Sequence, residues 1–156
     1  MIRNLVGGVV GIAKVIAAGC FAAMIVLTLV QVVNRYALGL PMFWTEELIV
    51  LLLVWSMLLG MPVQLWSHEE IVVDVLPTPD PRAQAIKDGA NLVCSVGFCA
   101  ILAWAGYAFM LRGLNVTSPA LGLSRLWFFL PIPVSAALSV IVLLTRPKGQ
   151  SVGGFD

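Results

Sequence analysis

The chain has 156 residues, of which 60% are hydrophobic and 11% are charged, and its formal net charge is +1. Its mean hydropathy of +1.01 lies far from that of soluble globular domains. The composition therefore excludes a soluble enzyme and gives no basis for a nucleic-acid partner. It predicts an integral membrane protein.

Four charge-free runs of at least 20 residues make up most of the chain. Each can cross the hydrocarbon core of a bilayer, roughly 30 Å thick, as one helix. The runs occupy residues 15–34, 48–67, 89–111 and 126–145. We predict an all-α membrane protein, one domain over residues 1–156 with four transmembrane helices. The connecting segments are too short to form a soluble domain with its own core.

Basic residues predict the orientation, because Lys and Arg are retained on the cytoplasmic side of a membrane. With four spans, both chain ends and the middle loop share one side. That side carries six basic residues: Arg3, Lys14, Arg82, Lys87, Arg146 and Lys148. The other side carries three: Arg35, Arg112 and Arg125. We predict cytoplasmic termini and outward-facing loops at 35–47 and 112–125.

The start of the chain also resembles a secretory signal, with a lipoprotein-like cleavage box at 17–20. Lys14 interrupts the apolar run before this box, and the run continues for ten residues beyond it. Both features favour a retained helix. We expect Lys14 to lie at the interface and residues 4–13 to continue the helix there.

The first outward loop is mostly apolar, and we expect Trp44 to lie at headgroup depth. Two interpretations of its charges remain open. Thr45, Glu46 and Glu47 are suited to cap the second helix, where exposed amides and the helix dipole favour negative charge. Alternatively, Arg35 pairs with Glu46 or Glu47 and holds the first two helices together or presents a charged patch to a partner.

Proline and small residues predict local features of the later helices. Gly60 and Pro62 predict a structural kink in the second helix. A stripe of small residues in the third helix is suited to close packing: Ser95, Cys99, Ala103 and Gly106. Pro131 and Pro133 predict a bent start of the fourth helix.

Neither a metal site nor a catalytic centre is predicted. His68 lies near Glu69, Glu70 and Asp74, but it is the only histidine in the chain, so the spacing of a helical zinc site is absent. The three cysteines form neither a metal site nor an evident disulfide. None of the four charge-free runs contains an ionisable Asp, Glu, Lys, Arg or His, on which ion pathways in membranes depend. The pattern is typical of an accessory or scaffold subunit.

Several short motifs surround the second helix: Asn34-Arg35-Tyr36, Trp44-x-Glu46-Glu47, Trp55, Gly60 and Ile71-x-Val73-Asp74-x-Leu76. Their order and spacing resemble the small DctQ-type membrane subunit of TRAP (tripartite ATP-independent periplasmic) transporters. Trp127 and Pro131-x-Pro133 are also similar to that family. Glu70 stands where the family commonly has histidine, so any role of that histidine does not transfer.

The resemblance implies a non-enzymatic scaffold in a bacterial inner membrane, without cofactors. Its partners would be membrane lipid, a large permease subunit that binds sodium and moves organic acids, and a periplasmic substrate-binding protein. The candidate structural or interaction residues are Arg35, Trp44, Glu46, Glu47, Gly60, Asp74 and Arg125.

Two other classes have a similar size. A small multidrug exporter needs a carboxylate inside the membrane, and the first span has none. A haem-carrying membrane anchor needs a histidine within its spans, whereas His68 lies outside them.

Overall fold

The computed structural model describes residues 2–39, 42–67 and 81–145. Five α-helices and one π-helical turn form this part of the chain: α1 (Ile2–Val33), the π-helical turn (Asn34–Leu38), α2 (Phe43–Ser67), α3 (Pro81–Gly113), α4 (Leu126–Phe129) and α5 (Pro131–Thr145). Four stretches of helix are long and apolar enough to cross a membrane. The predicted fold class, an all-α protein with four membrane-spanning helices, is confirmed.

Two helices extend well beyond the charge-free runs. α1 continues without interruption through Lys14, as expected for residues 4–13. α3 has 33 residues, so it is about 50 Å long and exceeds the thickness of a bilayer core. Its first residue is Pro81, a position that suits proline because the first helical N–H has no intrahelical acceptor. Residues 68–80, which precede it, lie outside the described residues.

The helices form an open row instead of a closed bundle, and α1 also touches α5 near the chain termini. α1 packs against α2, α2 packs against α5, and α5 packs against α3. Within the described ranges, no Cα atom of α3 lies within 8 Å of a Cα atom of α1 or α2. The order in space is therefore α1, α2, α5, α3, so the last helix of the chain lies between the second and the third.

The two inner helices of the row, α2 and α5, are more buried than the two outer helices, α1 and α3. No residue in the most hydrophobic stretch of the first span is fully buried, whereas a third of the residues in the corresponding stretch of the fourth span, Leu126–Thr145, are buried. Most of the buried side chains in the spans belong to α2 and α5: Thr45, Ser56, Leu59, Pro62, Pro131, Ser135, Ala136, Ser139, Val142 and Leu143. Large apolar side chains on α1 and α3 are exposed, and Trp104 is 79% exposed. The two outer helices therefore offer extensive apolar surface to the membrane or to another protein.

The contact between α3 and α5 depends on a glycine. A Cβ at Gly106 would lie 2.6 Å from Cγ2 of Ile132 and 3.1 Å from Cδ of Pro133. Cys99, two turns earlier on α3, is buried. The predicted packing role of the small-residue stripe is thus confirmed at Gly106.

Along the helix axes, the molecule has two ends, and these differ in character. At one end, which we call the terminal end, Val6 and Val10 of α1 meet Val142 of α5, with Trp66 of α2 packed against them. The opposite end, the loop end, contains residues 34–39, 42 and 114–125. The two loops expected on one side of the membrane therefore lie at the same end of the molecule.

Helical backbone angles continue through Leu130, between α4 and α5, so the bent start that the prolines predict stays a prediction. α4 ends at Phe129, and α5 begins at Pro131. Pro131 has no N–H to donate to the Trp127 carbonyl one turn earlier. The Trp55 indole Nε1 of α2 donates to that carbonyl instead, at 3.0 Å. α2 continues through the buried Pro62 as one helix.

Candidate interaction site at the loop end

The loop between α3 and α4 is a compact turn held by its own backbone. Ser118 N donates to the Leu123 carbonyl at 2.7 Å, and Gly122 N donates back to the Ser118 carbonyl at 3.0 Å. Gly122 has a φ of 66°, in the left-handed region that glycine adopts without strain. Arg125 N donates to the Val116 carbonyl at 2.8 Å. These bonds fix the turn and place Arg125 at the start of α4.

Glu47 connects this turn to α2. Its carboxylate accepts hydrogen bonds from the Ser118 hydroxyl, from Ala120 N at 3.2 Å and from Leu121 N at 2.9 Å. Ser118 is buried, so little water is available to replace Glu47 as its partner. Bonds to an ionised acceptor are stronger than those between neutral groups. One carboxylate therefore holds three donors of a loop that lies 71 or more residues away in the chain.

An open cleft lies between α2, this turn and α4. Its volume is about 340 Å³. Charged groups and apolar side chains both line it: Glu46, Glu47, Val50, Ser118, Pro119, Arg125, Phe128 and Phe129. The Arg125 guanidinium attracts the Glu47 carboxylate electrostatically. The cleft thus combines two acids, one base and an apolar wall at the boundary of the second span.

The capping role expected at the start of α2 is wrong for Thr45 and Glu47. α2 begins at Phe43, so Thr45 lies inside the first turn. Its buried hydroxyl donates to the Met42 carbonyl at 2.6 Å instead of accepting a helix N–H. The Glu47 carboxylate bonds to the loop beyond α3, and Glu46 Oε1 accepts from Gln31 Nε2 of α1 at 3.3 Å.

The alternative pairing of Arg35 with a glutamate does not form either. Arg35 is exposed on the π-helical turn and has no hydrogen bond or ion pair to another residue of the described ranges. The physical reason is that Glu46 and Glu47 bind donors on α1 and on the loop. The turn is closed by other contacts, since Asn34 Nδ2 lies 3.0 Å from Met42 Sδ and Gly39 has a φ of 67°.

Trp44 and Gly60 do not line this cleft. Trp44 is 42% exposed. Gly60 lies two turns or more inside α2, with open space beside its backbone. Asp74, together with His68, Glu69 and Glu70, lies outside the described residues. Among residues 2–39, 42–67 and 81–145, no group of three His, Cys, Asp or Glu side chains is placed to hold a metal ion.

The geometry defines a polytopic all-α membrane protein. Its polar contacts between helices are concentrated at the loop end. The chain belongs to the family described as "Tripartite ATP-independent periplasmic transporters, DctQ component", whose profile matches residues 24–147. The resemblance found in the sequence is thereby confirmed. The family is a component of transporters.

A curated relative from Oleidesulfovibrio alaskensis (strain G20) is the "Isethionate TRAP transporter permease protein DctMQ". It is 30% identical over 145 residues, which cover 86% of this chain. The chain spans only 22% of the length of that relative.

Proposed function

We propose that this chain is the small integral-membrane subunit of a sodium-coupled TRAP transporter for organic acids. It acts as a scaffold for a large permease subunit and helps to dock a periplasmic substrate-binding protein. The observation that carries the proposal is the family match over residues 24–147, which includes three complete spans and the last part of the first.

The open row supports the scaffold role. A row presents more apolar surface per helix than a closed bundle, and the outer helices α1 and α3 expose large side chains along their length. Without ionisable groups in its charge-free runs, the chain has no evident way to couple an ion gradient itself. A large partner therefore supplies the transport path.

The relative supports a partner of this kind. Its name joins DctM and DctQ, and 78% of its length lies outside the matched part, as the 22% coverage implies. In the transporter that contains this chain, a separate permease subunit would carry out the function of that remaining length. For this chain we propose organic acids as the substrate class. Isethionate is the substrate named for the relative.

The loop end is the proposed docking face. With cytoplasmic termini in a bacterial inner membrane, residues 34–39, 42 and 114–125 face the periplasm. Arg35, Trp44, Glu46 and Arg125 are exposed there and are available to a soluble partner. Glu47 acts indirectly by holding the loop. Gly60 and Asp74 remain candidates for contact with the permease subunit.

Transport assays test the division of labour. The isolated chain, reconstituted in liposomes, should move no organic acid down an imposed sodium gradient. Uptake should appear when the chain is combined with a co-purifying large subunit and binding protein. Gradient-driven uptake by the isolated chain would contradict the scaffold role and favour a small exporter.

Cysteine labelling tests the orientation. In a background without the three native cysteines, Gly39→Cys and Asn115→Cys should react with an impermeant thiol reagent added from outside. Thr78→Cys should react only after the membrane is permeabilised. The reverse pattern would place the loop end in the cytoplasm and exclude periplasmic docking.

A further inference from the structure

Glu46 and Arg125, two opposite charges that line the cleft, form no ion pair with any described residue, although the Arg125 guanidinium attracts the Glu47 carboxylate at longer range. Glu46 uses Oε1 to accept from Gln31, and its Oε2 has no hydrogen bond within the described chain. The Arg125 guanidinium likewise has no hydrogen bond or ion pair to any described residue. Both residues line the cleft, and both are exposed within it. A ligand with one cationic and one anionic group would satisfy both.

The walls of the cleft are apolar. Val50, Phe128 and Phe129 face it together with Pro119, and Val50 is 48% exposed. Its volume of about 340 Å³ falls within the range of small-molecule sites, roughly 300–1,000 Å³. A ligand that uses the whole cleft therefore combines a zwitterionic head with hydrocarbon.

The position of the cleft agrees with a ligand from the membrane. The charge-free run of α2 begins at Leu48, directly after the two glutamates, so the cleft lies where the hydrocarbon core begins. Trp127 is half exposed on α4 next to it, and tryptophan is enriched at membrane interfaces. Headgroups of phospholipids occupy this depth.

We propose that the cleft binds one phosphoglyceride whose headgroup carries a primary ammonium, as in phosphatidylethanolamine. Its ammonium donates to the Glu46 carboxylate, and its phosphate accepts from the Arg125 guanidinium, whose paired donors match phosphate geometry. Its acyl chains lie against Val50, Phe128 and Phe129. A choline headgroup cannot donate hydrogen bonds to Glu46, and a glycerol headgroup carries no cation.

Native mass spectrometry of the full chain, released from micelles with equimolar lipids, tests this site. Phosphatidylethanolamine, phosphatidylcholine and phosphatidylglycerol with identical acyl chains are the probes. One phosphatidylethanolamine should be retained about tenfold more than either competitor, as expected for one charge-assisted hydrogen bond. Equal retention of the three lipids by the wild-type chain overturns the proposal and favours a cationic side chain of a protein partner.

Charge variants assign the two contacts. Glu46→Gln should abolish the preference for the ammonium headgroup, and Arg125→Gln should lower the retention of all three lipids about tenfold. Arg35→Gln is the matched control, because Arg35 is exposed at the same end but does not line the cleft. An unchanged preference in Glu46→Gln overturns the proposal.

Two further measurements do not depend on charge removal. Val50→Trp narrows the cleft and leaves its charges in place, so it should lower lipid retention several-fold. Soluble glycerophosphoethanolamine at equal concentration should fail to displace the lipid, because it lacks acyl chains. Displacement by this headgroup alone would assign the cleft to a soluble zwitterion and overturn the lipid site.

Discussion

The terminal end and the loop end of the molecule are held together by different forces. At the terminal end, Val6, Val10 and Val142 pack with Trp66 through apolar contacts. At the loop end, one carboxylate, that of Glu47, accepts three directional hydrogen bonds. In a membrane, lipid tails replace apolar side-chain contacts at little cost, so packing at the terminal end gains little specificity. No lipid tail can replace a hydrogen bond, so the loop end should determine the shape of the chain.

The largest effect is expected for Gly106→Ala. The new Cβ would lie 2.6 Å from Ile132 Cγ2, and neither Ile132 nor Pro133 can move without displacing α5. We expect a loss of about 1–3 kcal/mol in the free energy of unfolding. Unfolding of the purified chain in mixed micelles by a denaturing detergent measures it.

Gly97→Ala is the control on the same helix. A Cβ at Gly97 would meet no atom within 4 Å, so alanine there should be neutral or stabilise by up to about 1 kcal/mol. Equal stability of the two variants would show that the row tolerates a wider spacing of α3 and α5.

Glu47→Ala should have the next largest effect. The Ser118 hydroxyl and two backbone N–H groups would lose their acceptor, at a cost of about 1–3 kcal/mol where water cannot replace it. Hydrogen exchange at Ala120 and Leu121 should accelerate, while exchange in α5 should change little. Glu46→Ala is the control, because Glu46 makes no bond to this loop. Unchanged exchange in Glu47→Ala would mean that the backbone hydrogen bonds of the turn are sufficient to hold its structure.

Trp55→Phe tests the bond that replaces the missing proline N–H. The Trp127 carbonyl would lose its donor at 3.0 Å, and hydrogen bonds between membrane helices contribute about 0.6 kcal/mol on average. A destabilisation of this size, measured by the same unfolding assay, is expected. Trp104→Phe on the exposed side of α3 should have a smaller effect. Equal effects would attribute the loss at Trp55 to packing.

The smallest effect is expected at the terminal end, for Gly7→Ala. Its Cβ would approach Trp66 Cζ2 to 3.2 Å, a tight contact that a side-chain ring relieves by a small shift. Alanine has a helix propensity up to about 1 kcal/mol more favourable than that of glycine, and the strain should offset this gain. Gly11→Ala has open space and should be the more stable variant in thermal unfolding. A large loss in Gly7→Ala would contradict the weak specificity of this end.

The sequence predicted the elements of the fold better than their arrangement. Charge-free length predicted the four spans, because it follows from local chemistry. The order of the row was not predicted, since helices that are apolar on all sides carry no periodic signal of the face that packs. Gly106 was the exception, because a small residue marks close contact.

The contacts of the site could not be predicted for a related reason. The partner of Glu47, Ser118, is 71 residues away, and nothing local to either residue indicates the pairing. A helix that begins at Phe43 also moved Thr45 from the expected cap into the first turn. Such a shift of a few residues is common at helix ends and changes which groups are available.

The position of α5 in the row has a consequence for biogenesis. During synthesis, α1, α2 and α3 are all complete before α5 is made, and within the described chain α3 has no Cα atom within 8 Å of a Cα atom of the first two. The contacts of α5 with α2 and α3 can therefore form only after the last helix is made. A chain cut short before residue 126 would keep the α1–α2 hairpin and lack the helix that joins it to α3.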